Sequence, residues 1–424
     1  MSKVYFRRKK RPTGVYLTKT SPKTVINDYQ TLMRTANYKK YLKKGLPIVI
    51  KLNLSWTRFY PGCSTWPWQL EGIVKTLLED GFKPSQIIPI ENRTVVTDVK
   101  KGAQNNKWLG VLKKYGIKMR YLTEEKYVKY TPRHKLLVLS KIFPKGIFLP
   151  KIIFDTNLIH PPTLKMHVFT TTTGAIKNYF GMLNISRHFA HRYIHEALVD
   201  LLTIQKEIHP GIFSVTDGTV AGEGSGPRAM KWQIKNLLLA SADQVALDTA
   251  SAKIMGFEPQ TIEYLRLADK KKLGVANTSI IQIIEVKDTK GAGKPQFSKK
   301  SAGGLQNTDI ILRARSKPRP SREVNDISSS RLRPDTSRLR SNSIKIGSLP
   351  NFHFKKADTF ASKGQKLIYG GPKWLEKILL HSPIVPWSYL ASNLYHDVYW
   401  YHLIGKKRVG QFLKTDWGEL FLSF

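Results

Sequence analysis

Two hydrophobic rhythms run along this chain. GLPIVIKLNL (45–54) is a nearly continuous apolar run, which predicts a buried strand entering a loop at Asn53. In WPWQLEGIVKTLLED (66–80), Leu70, Ile73, Val74, Leu77 and Leu78 recur at the spacing of an amphipathic helix, and Gly81 follows as a helix-terminating glycine. A short strand, QIIPIEN, comes next, then a helix around 104–115 ending at Gly116, then the strands IKMRYLT and KIIFDTNLIH. Further on, GIFSVTDGTV (211–220) reads as a strand breaking into the glycine-rich loop VAGEGSGP. Residues 237–257 read as a strand and a helix opening near Asp243, with Asp243 as its N-cap, and SIIQIIEV (279–286) as a last strong strand. Strands alternating with helices at these intervals predict an α/β fold with a largely parallel sheet flanked by helices. Ligands in such folds sit beyond the carboxyl ends of strands, where Asn53, Glu91 and residues 155–160 fall.

Past 286 the rhythm stops. Residues 287–362 are rich in Ser, Lys, Arg, Gly and Pro, and 299–345 holds twelve Lys/Arg against four Asp/Glu. Such a stretch predicts a disordered basic linker. Order is expected to return in a small aromatic-rich C-terminal segment, 363–424, where Trp374, Trp387, Tyr389, Tyr395, Tyr399, Trp400, Tyr401 and Trp417 are interleaved with basic residues at 406–408. That pattern suits a membrane interface, stacked bases or a segment docked on the main domain. The organisation is therefore a basic N-terminal extension (1–39), an α/β domain (40–286), the linker and the C-terminal segment.

Composition narrows the picture little. With 424 residues and 41% hydrophobic content the chain can bury a real core. Its net charge of +40 predicts attraction to polyanions, whether nucleic acid, an anionic membrane surface or a phosphorylated small molecule, without choosing among them. Cys63 is the sole cysteine, which excludes an internal disulfide, a Cys-ligated zinc site and an iron–sulfur cluster. The basic start MSKVYFRRKKRP leads into no apolar run of the signal-peptide kind, and prolines and histidines interrupt ILLHSPIVPWSYLASNLYH (378–396). These features read as a soluble, cytoplasmic protein.

The candidate chemistry is concentrated in 155–195, which carries five of the eleven histidines together with Lys165, Lys177 and Arg187. Lys165 and His167 follow a strand and two prolines, so they belong on a rigid loop above the sheet. Lys177 and Asn178 open the next helix, behind a threonine run and Gly174 that offer hydroxyl and amide donors. Together these residues suit a small anionic ligand. Lys165, His167 and Lys177 are the catalytic candidates, and Asn53, Asn178 and Arg187 the ligand-binding ones. The plainer alternative is a pair of solvated lysines beside an ordinary threonine cap. On a helix, His188, His191 and His195 would share one face, with the last two at the spacing of a two-histidine clamp for a divalent metal. A surface helix facing an anion or water fits the same spacing. VTDGTVAGEGSGP offers Asp217 and Glu223 as ligands for a hard cation or as a general base. It matches neither the Walker A pattern nor the dinucleotide fingerprint, and a conformationally demanding turn would explain it equally.

VIKLNLSW, DTNLIHPPTLKMH with TGAIKNYFGM, VTDGTVAGEGSGP and ASADQVALDTASAKIMGF occur in the order found in the domain of unknown function 362 family. The chain resembles that family over residues 45–286. The resemblance implies no established activity, and the ferredoxin-type cluster domain of many members has no cysteines to form it here. A more distant resemblance, to the nickel-pincer lactate racemases, rests on the order His167, Lys177, His188, His191 around TTTTGAIK. It implies a nickel-bearing nucleotide held by the lysine and a histidine. TTTTG replaces the glycine-rich turn, however, and the upstream acid/base histidine motif has no counterpart. The combined expectation is an enzyme, or a cofactor- or metal-handling protein, acting on a small anionic ligand at Lys165, His167 and Lys177. The alternative is a non-catalytic module that binds nucleic acid or anionic membrane through its basic surface.

Overall fold

The computed structural model describes residues 13–287 and 341–424, apart from 95, 382 and 384. Among these the strands are β1 (Thr13–Lys19), β2 (Ile48–Lys51), β3 (Ile87–Glu91), β4 (Arg120–Tyr121), β5 (Tyr127–Tyr130), β6 (Ile147–Pro150) and β7 (Asn157–His160), followed by β8 (Thr163–His167), β9 (Thr171–Thr172), β10 (Ile212–Ser225), β11 (Ala229–Ser241), β12 (Ile281–Val286) and β13 (Ser341–Lys345). The main sheet has the order β13-β12-β1-β11-β10-β7-β2-β3-β4, with β8 also pairing with β10 and β9 with β8. From β10 to β4 every pairing is parallel. On the other side the sheet is mixed. The outcome is the expected α/β architecture.

The parallel half follows directly from its residues. IVIK and NLIH are buried along their whole lengths, as strands covered on both faces must be. Helix Pro67–Glu79 begins with the proline whose missing N–H costs nothing there. It stops before Gly81, which adopts φ +95°. Its Gly72 lies so close to helix Val25–Thr35 that a Cβ would meet Tyr29 at 2.6 Å. On the opposite face of the sheet, helix Ile194–Ile208 buries Leu198, Leu201 and Leu202 in a second apolar cluster.

Four expectations change. Residues 13–35, read as part of a basic extension, are integral to the sheet. β1 lies between β11 and β12, and helix Val25–Thr35 buries Tyr29, Leu32 and Met33. The flanking basic residues had concealed the short alternation in TGVYLTK. The single helix expected at 104–115 is two, Val99–Asn105 and Trp108–Lys114, separated where Lys107 takes φ +63°. The glycine-rich "loop" after 220 is strand: β10 runs on to Ser225 beside β11 after an irregularity between Gly218 and Val220. There Gly222 admits a close neighbour, since a Cβ would meet Met230 Sδ at 2.5 Å and Lys165 Cβ at 3.1 Å.

The fourth change concerns the linker. Its residues 288–340 lie outside the described residues, so the expectation of disorder is not addressed there. From Ser341, however, the chain pairs antiparallel with β12 and then buries Ile346, Leu349 and Phe354. These apolar residues are enough to rejoin the fold before 363.

The aromatic tail is helical. Helices Phe360–Gly370, Lys373–His381 and Val385–Asn393 lead through a π-helical stretch, Leu394–Gly405, to helices Lys406–Leu413 and Asp416–Ser423. Its docking is aromatic: Phe421 stacks on Phe59 at 3.8 Å between ring centroids, Trp417 lies against Trp68, and Trp400 against Trp56. Among the described residues, no helix is long and apolar enough to cross a membrane.

Candidate functional site

β2 and β3 end side by side, and their last residues meet. Lys51 Nζ donates to Glu91 Oε1 at 2.6 Å and to the Leu52 carbonyl at 2.6 Å. Glu91 also accepts from the Leu54 and Asn92 amides. Both side chains are buried. A buried charge left alone is expensive, and here each ion has several partners. This pair forms the floor of a cavity of about 320 Å³ at the carboxyl edge of the parallel strands.

Lys165 is buried and does not border the cavity. Its ammonium donates to Asn53 Oδ1, to the Cys63 carbonyl at 2.5 Å and to Thr163 Oγ1 at 2.9 Å. Three donors and three acceptors leave it no hydrogen for a ligand, although burial brings its pKa down to about 8. Asn53 reaches the cavity, but its carbonyl oxygen is occupied by Lys165. Of the three catalytic candidates, His167 and Lys177 border the cavity, with Asn178 and Arg187, and Lys165 does not.

Lys177 sits on the short helix Ala175–Asn178, whose N-terminus is held by the buried Asp248. That carboxylate accepts from the Ala175 and Ile176 amides at 2.8 and 3.1 Å. Gly174 is required at the approach, because a Cβ there would collide with Asp248. Lys177 makes no hydrogen bond or ion pair within the described residues, and its ammonium lies 5.5 Å above the Phe180 ring. Burial, reinforced by Lys165 and Arg187, lowers its pKa to about 7. Asn178 Nδ2 donates to the Lys51 carbonyl at 2.6 Å and so ties this helix to the floor.

The cavity's other cations are equally short of carboxylates. Arg187 is held by the carbonyls of Leu183, Asn184 and Arg93, which fix its position without neutralising it. Arg228, from the β10–β11 turn, is buried; one guanidinium nitrogen reaches Ser392 Oγ at 3.4 Å and the other has no partner. Lys51, Lys177, Arg187 and Arg228 thus face a single carboxylate, Glu91, already bound to Lys51. His167 and His191 are kept neutral, chiefly by burial and secondly by Lys177, with His191 pushed down to about 3. His167 Nδ1 accepts from the Phe169 amide, whereas His191 Nδ1 donates to the His188 carbonyl. The first ring therefore carries its proton on Nε2, and the second has an open lone pair there.

The remaining wall comes from the C-terminal segment, including Ser362, Gln365, Tyr369 and Tyr389. Arg192 pins this segment by donating to Glu376 and to the Gly371 and Ile368 carbonyls.

Several candidates stand elsewhere. Asp217 is buried on the other face of the sheet, where it accepts from Tyr29 Oη, Trp68 Nε1 and the Thr219 amide and hydroxyl; it clamps two helices to the sheet. Glu223 caps the far part of the hairpin, bound to Gln233 and the Lys355 amide. The three histidines do not form a helical stripe, because 185–193 winds as a 3-10 helix and the α-helix starts only at Ile194. His188 meets Tyr389, and His195 accepts from the Tyr264 amide. Among the described residues, no group of three His, Cys, Asp or Glu is arranged to hold a metal ion. Lys51 was missed from the sequence, although a lysine inside IVIKLNL had to find a buried partner. Arg228 and the C-terminal wall carried no local signal.

Residues 48–253 match the family described as a domain of unknown function (DUF362). That stretch is similar to the family's sequence pattern, in keeping with the motifs it carries. The matched region supplies the floor and the cationic wall, whereas the C-terminal wall lies beyond it. A thylakoid-associated protein of Synechocystis sp. is 27% identical over 248 residues, which cover 56% of this chain and 71% of that protein.

Proposed function

We propose that this pocket takes up a small anionic molecule, a carboxylate or phosphate, and performs acid–base or nucleophilic chemistry on it through Lys177 and the neutral imidazoles of His167 and His191. The observation that carries this reading is the cavity's surplus of positive charge. Among the described residues Lys177, Arg187 and Arg228 converge without a hydrogen bond or ion pair to any carboxylate, and Glu91 and Asp397 act on the two arginines only from a distance. Arg187 and Arg228 stay protonated at any physiological pH and can grip a planar or tetrahedral oxyanion. Lys177, with a pKa near 7, is partly an amine at neutral pH, the form that abstracts a proton or attacks a carbonyl. An arriving anion raises that pKa again and so couples binding to proton uptake.

The test is a titration of the full chain with inorganic phosphate and a series of small carboxylates, followed by calorimetry in two buffers of different ionisation heat. Saturable binding with proton uptake near neutral pH supports the reading. Borohydride reduction in the presence of a 2-oxo acid should leave a mass adduct on Lys177 if the amine acts as a nucleophile. Absence of binding by every anion tried would remove the proposal.

A further inference from the structure

The helices that wall the pocket have a second side. On helix Phe360–Gly370, Ser362, Gln365 and Tyr369 face the cavity, whereas Phe360, Lys363 and Leu367 point to solvent. On Val385–Asn393, Ser388, Tyr389 and Ser392 face inward, and Trp387 and Leu390 outward. The exposure is extreme for such residues: 86% for Phe360 and 68% for Trp387. Among the described residues, eleven of the seventeen large apolar side chains left exposed lie between 360 and 404. An accumulation of this kind marks an interaction surface rather than ordinary scatter.

Its charges identify the partner. Lys373, Lys377, Lys406 and Lys407 are exposed and have no carboxylate partner among the described residues, whereas Lys363 and Lys366 share Asp358. The only acids between 360 and 408 are turned inward, Glu376 to Arg192 and Asp397 to Trp56 Nε1 and Arg58. Beyond the exposed Asp358 at its edge, the outer face is therefore apolar, aromatic and cationic. Protein–protein interfaces are depleted of lysine at their cores, and a second copy would set lysine against lysine. An anionic bilayer satisfies both features: aromatic and aliphatic side chains enter the headgroup boundary while lysines reach lipid phosphates. We propose that this face docks the protein in the plane of an anionic membrane. The net charge of +40 favours approach to the same partner.

Flotation of the full chain with vesicles tests this directly. Binding is expected to vesicles of phosphatidylcholine mixed with phosphatidylglycerol, and much less to phosphatidylcholine alone. The Trp387→Ser/Leu390→Ser/Leu403→Ser variant should bind at least about tenfold more weakly, since each side chain loses apolar burial. Its melting temperature should be unchanged, because all three residues are exposed. Arg228→Ala, a change inside the pocket, should bind vesicles normally, so failure of the pocket reading and failure of this one are distinguishable. Equal vesicle binding by the triple variant would assign the interaction to other basic segments and overturn the proposal. So would no binding by the parent chain, or a stable dimer that the triple variant loses.

Discussion

Two lysines, twelve residues apart in the chain, one buried and one half-buried, lie in opposite situations. Lys165 spends all three ammonium hydrogens on Asn53, Cys63 and Thr163, whereas Lys177 has only an aromatic ring beneath it. The same contrast separates the floor of the pocket from its cationic wall. In the floor Lys51 is matched by Glu91; in the wall Arg228 keeps an unpartnered nitrogen. Matched buried charges are what a fold requires. Unmatched ones raise the free energy of the empty protein and lower it when an anion arrives, so they mark where a ligand belongs.

Substitutions on the two sides should therefore fail in different ways. The largest effect is expected in the floor. Lys51→Met leaves Glu91 buried without its cation, and loss of one member of such a pair costs about 3–5 kcal/mol. Urea denaturation should show that loss, and Lys51→Met/Glu91→Leu should recover much of it. A Lys51→Met variant as stable as the parent would mean that the floor is not held by the pair.

In the wall, Lys177→Met and Arg228→Met should leave stability unchanged or slightly raised, because each removes a largely desolvated charge that is hydrogen-bonded to no carboxylate. Anion affinity should instead fall by at least about tenfold, the equivalent of one lost charge-assisted contact. Calorimetry with inorganic phosphate measures it. If stability falls and affinity does not, the assignment of floor and wall is reversed.

Acid should sharpen the contrast further. Burial holds His160 and His191 at about 3 and His209 at about 4, against an ordinary 6.5. The unfolded chain binds more protons between these values, so their contribution to stability is present above about 6.5 and is lost as pH falls toward 4 and 3. Asp217 and Asp248, raised to about 6 and about 7 by burial, act in the opposite direction, contributing more as pH falls from 7 toward 4. The histidines outnumber them, so thermal stability should decline from pH 6 to pH 4. A Lys177→Met variant should lose less stability over that range, because removing the Lys177 charge relieves part of what holds His167 and His191 down. Lys177 itself, with its pKa lowered to about 7, stays largely protonated below pH 6.

The sequence disclosed the floor better than the wall. Strand periodicity placed β2, β3 and β7, and their carboxyl ends gave the site's location, because a parallel sheet assigns function to one edge. His167, Lys177, Asn178 and Arg187 lie within one short stretch that folds onto that edge. The rest depended on distant contacts. Arg228 sits at a hairpin turn that glycines had disguised as a loop, and the Tyr369 and Tyr389 wall returns from about two hundred residues away. The histidine stripe failed because spacing predicts a shared face only for an α-helix, and 185–193 winds more tightly.

The smallest effect expected is also the most discriminating for strand β10. Asp217 and Glu223 occupy one strand six residues apart and looked alike as ligands. Asp217 accepts four hydrogen bonds in the core, whereas Glu223 binds Gln233 and one amide near the surface. Glu223→Gln keeps an acceptor for the Lys355 amide and exchanges a charge for a neutral group, so stability should move by less than about 0.5 kcal/mol. Phosphate affinity should not change, because neither carboxylate borders the cavity. A Glu223→Gln variant with altered affinity would show that the far part of the hairpin reaches the ligand and that the wall extends beyond Arg228.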